Sequence, residues 1–365
     1  MENDYNNNNS DSEIDANFGL DLEKIEEYRV FLKTCNSFYY YAMEHLTALK
    51  KRSDDFETLT KGKELQLKTL NLPIYQKFQQ TKICIKVNFE FLKELVNGVE
   101  AVFFDPGDLE YLKFVMSQQN DVAYPTQLDM DKVSSTLKQL TRDWSSIGKK
   151  EREGAYLPIC SSLLKEYGSI AEGDRFDIKV LVPGAGLGRL VYDIAKLGFS
   201  SEGNEFSYPM LITSYYLLNK CTEQNQFKIY PYCTNYSNNW SGRDQFLPVE
   251  IPDELPSNLG NNIKFSMSAG DFIEAYGLES NHKENWDCVA TCFFIDTAKN
   301  VCDYVDIIYN LLKPNSIWIN LGPLLYHFDN SASDSSIELT WDELKLYILA
   351  KGFAIEEEEK ISFCS

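Results

Sequence analysis

The stretch VLVPGAGLGRL, residues 180–190, places three glycines directly after a run of aliphatic residues. Val180–Val182 predicts a buried strand, and the apolar pattern that resumes at Leu190 predicts a helix. Glycines between a strand and a helix let the backbone approach a nucleotide-like ligand closely. The spacing here is G-x-G-x-G, and Arg189 stands where the NAD fingerprint G-x-G-x-x-G has its third glycine. We therefore predict a mononucleotide-binding unit, and the spacing gives little support to NAD as its ligand.

The composition is typical of a chain that folds around a core, with 365 residues, 44% hydrophobic and 25% charged. A net charge of -20 argues against nucleic acid or an anionic membrane as the main partner, although a basic patch can lie within an acidic chain. No apolar run reaches the roughly 18 residues that a membrane span requires. The nine cysteines are scattered and include no C-x-x-C pair, so we expect no metal site. No signal peptide precedes them, which favours reduced thiols and a cytoplasmic or nuclear location.

Three regions are predicted along the chain. Residues 1–19 are polar and asparagine-rich, which indicates a disordered tail, and residues 20–150 carry apolar side chains at the three- and four-residue steps of helices. Within residues 151–365, short apolar runs alternate with helical stretches, a pattern that favours parallel βαβ units. The runs are FDIKVLV (176–182), WDCVATCFFID (286–296) and SIWINL (316–321). We predict an α/β fold with a doubly wound sheet and a helical N-terminal extension.

Acidic residues follow the predicted strands where a nucleoside would need them. Glu205 lies twenty-one positions after Gly184, at the end of the second strand, where a carboxylate can accept hydrogen bonds from both ribose hydroxyls. Asp271 can bond the amino group of an adenine, and Phe272 can cover the face of its ring. Asp296 follows a third strand, on the carboxyl edge of the sheet where ligands bind. Each feature also has a structural interpretation: a glycine turn that packs a helix, a surface Glu205, or an Asp271 that caps the following helix.

Several longer motifs resemble those of the carnosine N-methyltransferase family. Its members have a Rossmann-like fold, and their methyl transfer depends on S-adenosylmethionine (SAM). The resemblance covers about residues 30–355. It is carried by STLKQLTRDWSSIGKKER (135–152), VLVPGAGLGRL, GNEFSY (203–208), SMSAGDF (266–272), ATCFFIDTAKNVCDYVDIIYNLLKP (290–314), WINLGPLLYHF (318–328) and, most specifically, CFFIDTA and GPLLYHF within the last two.

The resemblance implies that the chain moves the methyl group of SAM to an imidazole nitrogen of carnosine, β-alanyl-histidine, which gives anserine. Gln139 and Arg142 lie three residues apart on a predicted helix, so they share a face on which Arg142 can pair the methionine carboxylate of SAM. The cofactor contacts implied by position are Gln139, Arg142, Gly184 at the amino-acid portion, Glu205 at the ribose, Asp271 and Phe272 at the adenine, and Cys292.

Substrate binding and catalysis are assigned by the same resemblance to Asp296 and His327. The other two histidines, His45 in a helical pattern and His282 in a polar loop, are interpreted as structural or solvated. A carboxylate at Asp296 that accepts the N–H of one ring nitrogen would fix the tautomer and make the other nitrogen more basic. His327 would hold or orient the substrate.

Three alternatives remain at this point. The acceptor is carnosine or a related small dipeptide, or it is a histidine in a peptide or protein. The chain also stops soon after KGFAIEEEE (351–359), where the family continues with a tyrosine-bearing segment and final strands. A SAM-binding scaffold without catalysis is therefore the third interpretation, and the sequence also allows a homodimer.

Overall fold

The computed structural model describes residues 10–118, 123–259, 262–331 and 333–361. None of the helices within these ranges is long and apolar enough to cross a membrane. The helices are α1 (Ser10–Leu59), α2 (Glu64–Thr69), α3 (Ile74–Val96), α4 (Glu100–Phe103), α5 (Pro106–Gln118), α6 (Gln127–Trp144), α7 (Lys149–Tyr167), α8 (Arg189–Lys196), α9 (Tyr208–Asn219), α10 (Phe272–Tyr276), α11 (Val301–Leu311) and α12 (Trp341–Lys351). The strands are β1 (Lys179–Pro183), β2 (Ser200–Glu205), β3 (Phe227–Ile229), β4 (Val249–Ile251), β5 (Phe265–Ala269), β6 (Trp286–Cys292) and β7 (Leu312–Leu321).

The chain forms two compact units, which we call the helical unit (residues 1–138 and 228–248) and the sheet unit (139–227 and 249–365). This division differs from the predicted regions 20–150 and 151–365 in two places. The end of α6 belongs to the sheet unit, and the segment 228–248 belongs to the helical unit although it lies far along the chain. Sequence periodicity reports local structure, so it cannot show a segment that joins a unit from a distance.

The sheet unit contains a parallel sheet with strand order β5-β2-β1-β6-β7, and this confirms the predicted α/β fold. In β1, Leu181 packs into a core with α11 and α12, whereas Val180 and Val182 pack into a second core with α7 and α8. Successive side chains of a strand point to opposite faces, so an unbroken aliphatic run is what a sheet covered on both faces requires.

In the helical unit, α1 buries a stripe of residues spaced three and four apart, and α3 packs against it. The stripe includes Tyr28, Phe31, Cys35, Phe38 and Tyr41. A fully buried amide, Asn88 of α3, joins this pair to the distant segment 228–248. Its Nδ2 donates to the hydroxyl of Tyr41 at 2.9 Å, and its Oδ1 accepts the N–H of Tyr230 at 2.7 Å.

The helix α1 begins at Ser10 and so extends into residues 1–19, for which the sequence predicts a disordered tail. Extending an existing helix adds one hydrogen bond for each residue that is fixed, so a polar sequence can continue a helix that later residues have nucleated. The rest of the predicted tail, residues 1–9, lies outside the described residues. The eight cysteines among the described residues are free thiols, and Cys364 also lies outside them.

His45 is expected to make the free energy of unfolding sensitive to mild acid. Burial lowers the pKa of His45 from its usual value, against an opposing effect of Asp131, and its buried Nε2 has no hydrogen-bond partner. The unfolded chain therefore binds this proton more readily, so stability should be complete above a pH of about 6.5 and fall as the pH drops below it. Urea unfolding between pH 7.5 and 5.5 should show a smaller acid loss in His45→Phe than in the wild type. If the free energy of unfolding fell equally in His45→Phe and in the wild type, the prediction would be contradicted. His282→Gln is the control, and its free energy of unfolding should fall as much as that of the wild type.

Candidate active site

The glycine turn that follows β1 adopts a backbone conformation that favours glycine. Gly184, Gly186 and Gly188 have φ angles of 64°, 55° and 76°. At Gly184 there is also no room for a side chain, because an added Cβ would lie 2.5 Å from a ring carbon of Phe294. Gly184 is exposed and Gly186 is half-buried, so this part of the turn presents backbone at the carboxyl edge of the sheet, where ligands of open α/β folds bind.

Glu205, at the end of β2, is 8% exposed and holds the glycine turn by its carboxylate. One oxygen accepts the N–H of Gly186 at 2.8 Å, and the other accepts those of Phe206 and Ser207 at 3.0 and 2.8 Å. Burial raises the pKa of Glu205, while the three backbone hydrogen bonds oppose that rise. A carboxylate offers about four acceptor positions, so Glu205 retains capacity for a ligand hydroxyl beside the turn.

The last turns of α6 carry Gln139 and Arg142, and both side chains are held by Asp143. The Asp143 carboxylate, which is 1% exposed, accepts from Gln139 at 2.9 Å and from Arg142 at 3.0 Å. The Tyr156 hydroxyl donates to it at 2.8 Å. The Gln139 amide nitrogen also lies 3.7 Å from the Cβ position of Gly186, which brings α6 to the glycine turn.

Cys292, at the end of β6, lies in the same electrostatic environment. Burial raises the pKa of Cys292 to about 12, with Arg142 opposing this rise and Asp143 adding to it. The thiol is therefore neutral near pH 7 and packs as a small apolar side chain rather than reacting as a nucleophile. The predicted cofactor residues Gln139, Arg142, Gly184, Glu205 and Cys292 thus gather at one edge of the sheet.

Asp271 and Phe272 begin α10 beside this edge. Asp271 caps the helix, since its Oδ1 accepts from the N–H groups of Ile273 and Glu274 at 2.8 and 3.3 Å. The Phe272 ring is 3% exposed and packs edge-on against Phe294, with 5.3 Å between ring centroids. This ring belongs to the core, so the expectation that it covers an adenine face is not supported. The second oxygen of Asp271 and the backbone of Phe272 remain as the groups that could contact a base.

Asp296 and His327, the two predicted substrate residues, are joined through their backbones. β6 ends at Cys292, four residues before Asp296, which sits in a short 3-10 turn and is 4% exposed. One carboxylate oxygen accepts the N–H of Leu325 at 3.0 Å, and the Asp296 carbonyl accepts the N–H of His327 at 3.1 Å. Among the described residues, no group donates to the other carboxylate oxygen. Asp296 is therefore a buried carboxylate with an acceptor position available, and its backbone carbonyl is bonded to the exposed residue His327.

The backbone between Cys292 and Asp296 turns sharply to reach this position. Phe293 has a φ of 52°, a conformation that costs a bulky L-residue free energy. Its N–H donates to the Leu321 carbonyl at 2.8 Å, and Gly322 provides space beside it, because an added Cβ there would lie 3.1 Å from the Phe293 backbone. The ends of β6 and β7 are thereby fixed together at the site.

Sequence reasoning missed the polar cluster that supports this edge. Arg189, where a dinucleotide site would have glycine, is 4% exposed and bonds the Asp143 carbonyl at 2.8 Å and the Asp253 carboxylate at 2.6 Å. Arg152 bonds the other oxygen of Asp253 at 2.7 Å. Because Arg189 directly follows the glycine turn, its bond to the Asp143 carbonyl holds the end of α6 next to that turn. No sequence signal marks these pairs, because their members are up to 101 residues apart.

Glu205→Gln is expected to weaken SAM binding. The variant replaces the charged acceptor of a ligand hydroxyl by a neutral amide. A hydrogen bond to a charged group is worth about 1.5–3 kcal/mol, which corresponds to about a 10- to 100-fold rise in Kd. Isothermal titration calorimetry with SAM measures this Kd. Glu202→Gln on the same strand, whose carboxylate accepts from the Tyr276 hydroxyl, is the matched control and should bind normally. An unchanged Kd in a folded Glu205→Gln variant would remove Glu205 from the cofactor site.

A parallel sheet with a glycine turn after its first strand and an acidic residue closing its second defines a Rossmann-like nucleotide-binding domain. A family model described as carnosine N-methyltransferase matches residues 119–364. The carnosine N-methyltransferase of Mus musculus is 41% identical over 340 residues, covering 93% of this chain and 81% of the relative. That of Schizosaccharomyces pombe is 39% identical over 347 residues, covering 92% and 90%. The chain therefore belongs to the carnosine N-methyltransferase family.

Proposed function

We propose that this protein transfers the methyl group of SAM to an imidazole nitrogen of carnosine and so forms anserine. The observation that carries the proposal is the buried Asp296 carboxylate, whose second oxygen accepts nothing from the described residues, beside His327. A buried carboxylate is costly without a full set of partners, so the available oxygen favours a ligand that donates an N–H. Membership of the family supports carnosine as that ligand.

The residues at the glycine turn fit SAM. The exposed backbone at Gly184 suits the amino-acid portion, the Arg142 guanidinium suits its carboxylate, and the remaining acceptor position of Glu205 suits a ribose hydroxyl. We assign the adenine to the free oxygen of Asp271 and to the backbone of Phe272, with Gln139 and the neutral Cys292 completing the site. When bound there, SAM supplies a methyl group on a sulfonium, a strong electrophile.

Asp296 selects the ring nitrogen. Free imidazole has a pKa of about 6.5, so the imidazole ring of most carnosine molecules is neutral at pH 7. A strong base is therefore unnecessary to make the ring nucleophilic. The carboxylate accepts the N–H of one ring nitrogen, which leaves the lone pair of the other nitrogen available to attack the methyl carbon. As that nitrogen forms its bond to the methyl carbon, the methyl–sulfur bond would break and its electron pair would stay on the sulfur, which leaves as a neutral thioether. The ring becomes positively charged, and the nearby carboxylate stabilises this charge before the N–H proton leaves to solvent.

His327 is assigned to binding rather than to proton transfer. His327 is exposed, and its backbone N–H is fixed to the carbonyl of Asp296, so the residue is anchored next to Asp296 without being buried. From that position it can hydrogen-bond the polar backbone of a dipeptide whose ring reaches Asp296. Positioning of this kind is worth several kcal/mol, because it replaces a chance encounter by an aligned one.

A substrate panel tests the proposal against its alternatives. Purified protein with labelled SAM is offered carnosine, homocarnosine, free histidine and a blocked histidine peptide, beside a SAM-binding titration. We expect SAM binding, and transfer to carnosine well above transfer to the blocked peptide. Transfer to the blocked peptide instead would favour histidine in a peptide or protein. Tight SAM binding without any transfer would favour the non-catalytic scaffold, and no SAM binding would reject the whole assignment.

A further inference from the structure

A large cleft lies within the helical unit, and methyl transfer makes no use of it. Its volume is about 980 Å³, at the upper end of the roughly 300–1,000 Å³ typical of ligand sites. One wall is the C-terminal part of α1, the second is the beginning of α3, and the third is the loop 236–245. We call it the α1–α3 groove.

The charged side chains of the groove are mostly basic. Lys51, Arg52 and Lys77 line it, against one carboxylate, Asp55. None of the three cations has a carboxylate oxygen of a described residue within 4.0 Å, although the chain carries a net charge of -20. In so acidic a chain, three neighbouring cations without ion pairs form a local positive surface to which an anionic partner is attracted.

Two of these cations are held in place by the groove itself. The Arg52 guanidinium lies over the ring of Tyr236, 3.7 Å from its centroid, which fixes its plane and leaves its N–H edge for a carboxylate. Lys77 is half-buried against the loop, since a Cβ at Gly242 would lie 2.9 Å from its Nζ. Cations that are already oriented lose less side-chain entropy when an anion binds.

Apolar side chains alternate with the cations along the same walls. Phe56 and Phe78 pack edge-on at 5.9 Å, whereas Leu59 is 80% exposed and Trp240 is 99% exposed at the loop. Tryptophan and arginine are the residues that most often dominate binding at protein interfaces, and a fully exposed tryptophan at a groove rim is a ready anchor.

We propose that the α1–α3 groove binds an acidic peptide segment of a partner protein, in which carboxylates flank an aliphatic or aromatic side chain. The carboxylates would pair with Lys51, Arg52 and Lys77, and the apolar side chain would lie against Trp240 and Leu59. A nucleic acid fits less well, because a long polyanion would also meet the repulsion of an acidic chain. This inference does not rest on the proposed methyl transfer.

Fluorescence anisotropy on the full chain tests the proposal. The probe is a labelled twelve-residue peptide of glutamates around a central Phe-Leu pair. We expect saturable binding that weakens as NaCl rises from about 50 to 300 mM, as for exposed charges. Arg52→Glu with Lys77→Glu should raise the Kd at least about 10-fold, and Trp240→Ala should raise it about 5- to 10-fold. Lys86→Glu, an exposed position further along α3, is the matched control and should bind normally.

The outcomes distinguish this proposal from others and from the proposed function. No binding of the glutamate peptide to wild type, or equal binding by the double variant, overturns it. Tighter binding of a twelve-nucleotide single-stranded RNA that depends on the same residues would overturn it in favour of a nucleic-acid site. Turnover of carnosine should be the same in wild type and variants, which also shows that the variants are folded. Arg52→Gln with Lys77→Gln is a milder pair if charge reversal impairs folding.

Discussion

Asp296→Asn is expected to lower kcat for carnosine roughly 100- to 1,000-fold while the Kd for SAM stays the same. The amide retains the shape of the side chain, but it has no negative charge to stabilise the positive ring that forms as the methyl group is transferred. It can also present an NH₂ group to the ring, which would select the wrong tautomer. Steady-state turnover together with calorimetric SAM titration separates the two effects.

The matched control for that variant is Asp303→Asn, an exposed carboxylate in the first turn of α11 that touches neither ligand in our assignment. It should keep wild-type kcat and SAM affinity. Loss of SAM binding in Asp296→Asn would move Asp296 to the cofactor. Undiminished turnover would show that the ring nitrogen is chosen by other groups.

Asp143→Asn should have the second large effect, on both stability and cofactor affinity. Asp143 neutralises Arg142 and also accepts from Gln139 and Tyr156, so the variant leaves a largely buried guanidinium without its counter-charge. Breaking a buried pair costs about 3–5 kcal/mol, and because 28% of the Arg142 side chain is exposed we expect about 2 kcal/mol. With Arg142 and Gln139 no longer held, the Kd for SAM should rise about 10-fold or more.

Urea unfolding and SAM titration measure these two quantities for Asp143→Asn. Tyr156→Phe is the comparison, because it removes one hydrogen bond to the same carboxylate at a cost of about 1 kcal/mol and leaves Arg142 paired. It should therefore bind SAM nearly as wild type does. A folded Asp143→Asn variant with unchanged SAM affinity would show that the pair does not position Arg142 for the cofactor.

The parts of the fold that rest on local pattern were predictable. Val180–Val182 gave β1 because a strand covered on both faces must be apolar at every position, and positive φ angles explain the three glycines that follow. The backbones of Asp296 and His327 meet because the ends of the neighbouring parallel strands β6 and β7 share an edge, where the sequence predicts both residues. The residues that contact SAM and substrate remain predictions.

The parts that rest on long-range packing were not predictable. Phe272 was expected to cover a base, but its ring is buried against Phe294, and sequence order does not show which side of a helix start faces the core. Arg189 was noted as a departure from the dinucleotide pattern, whereas its role depends on Asp253, sixty-four residues away. Likewise, the segment 228–248 joins the helical unit through Asn88, a contact that spans 142 residues.

The identity of the methylated nitrogen tests the central claim most directly. Wild-type protein is incubated with carnosine and methyl-labelled SAM, and the product is compared by NMR with both ring-methylated isomers and with the amine-methylated dipeptide. If Asp296 fixes the tautomer and the alignment of the ring, a single ring isomer, anserine, should carry the label. A mixture of the two ring isomers, methylation of the β-alanyl amine, or unlabelled carnosine would contradict it.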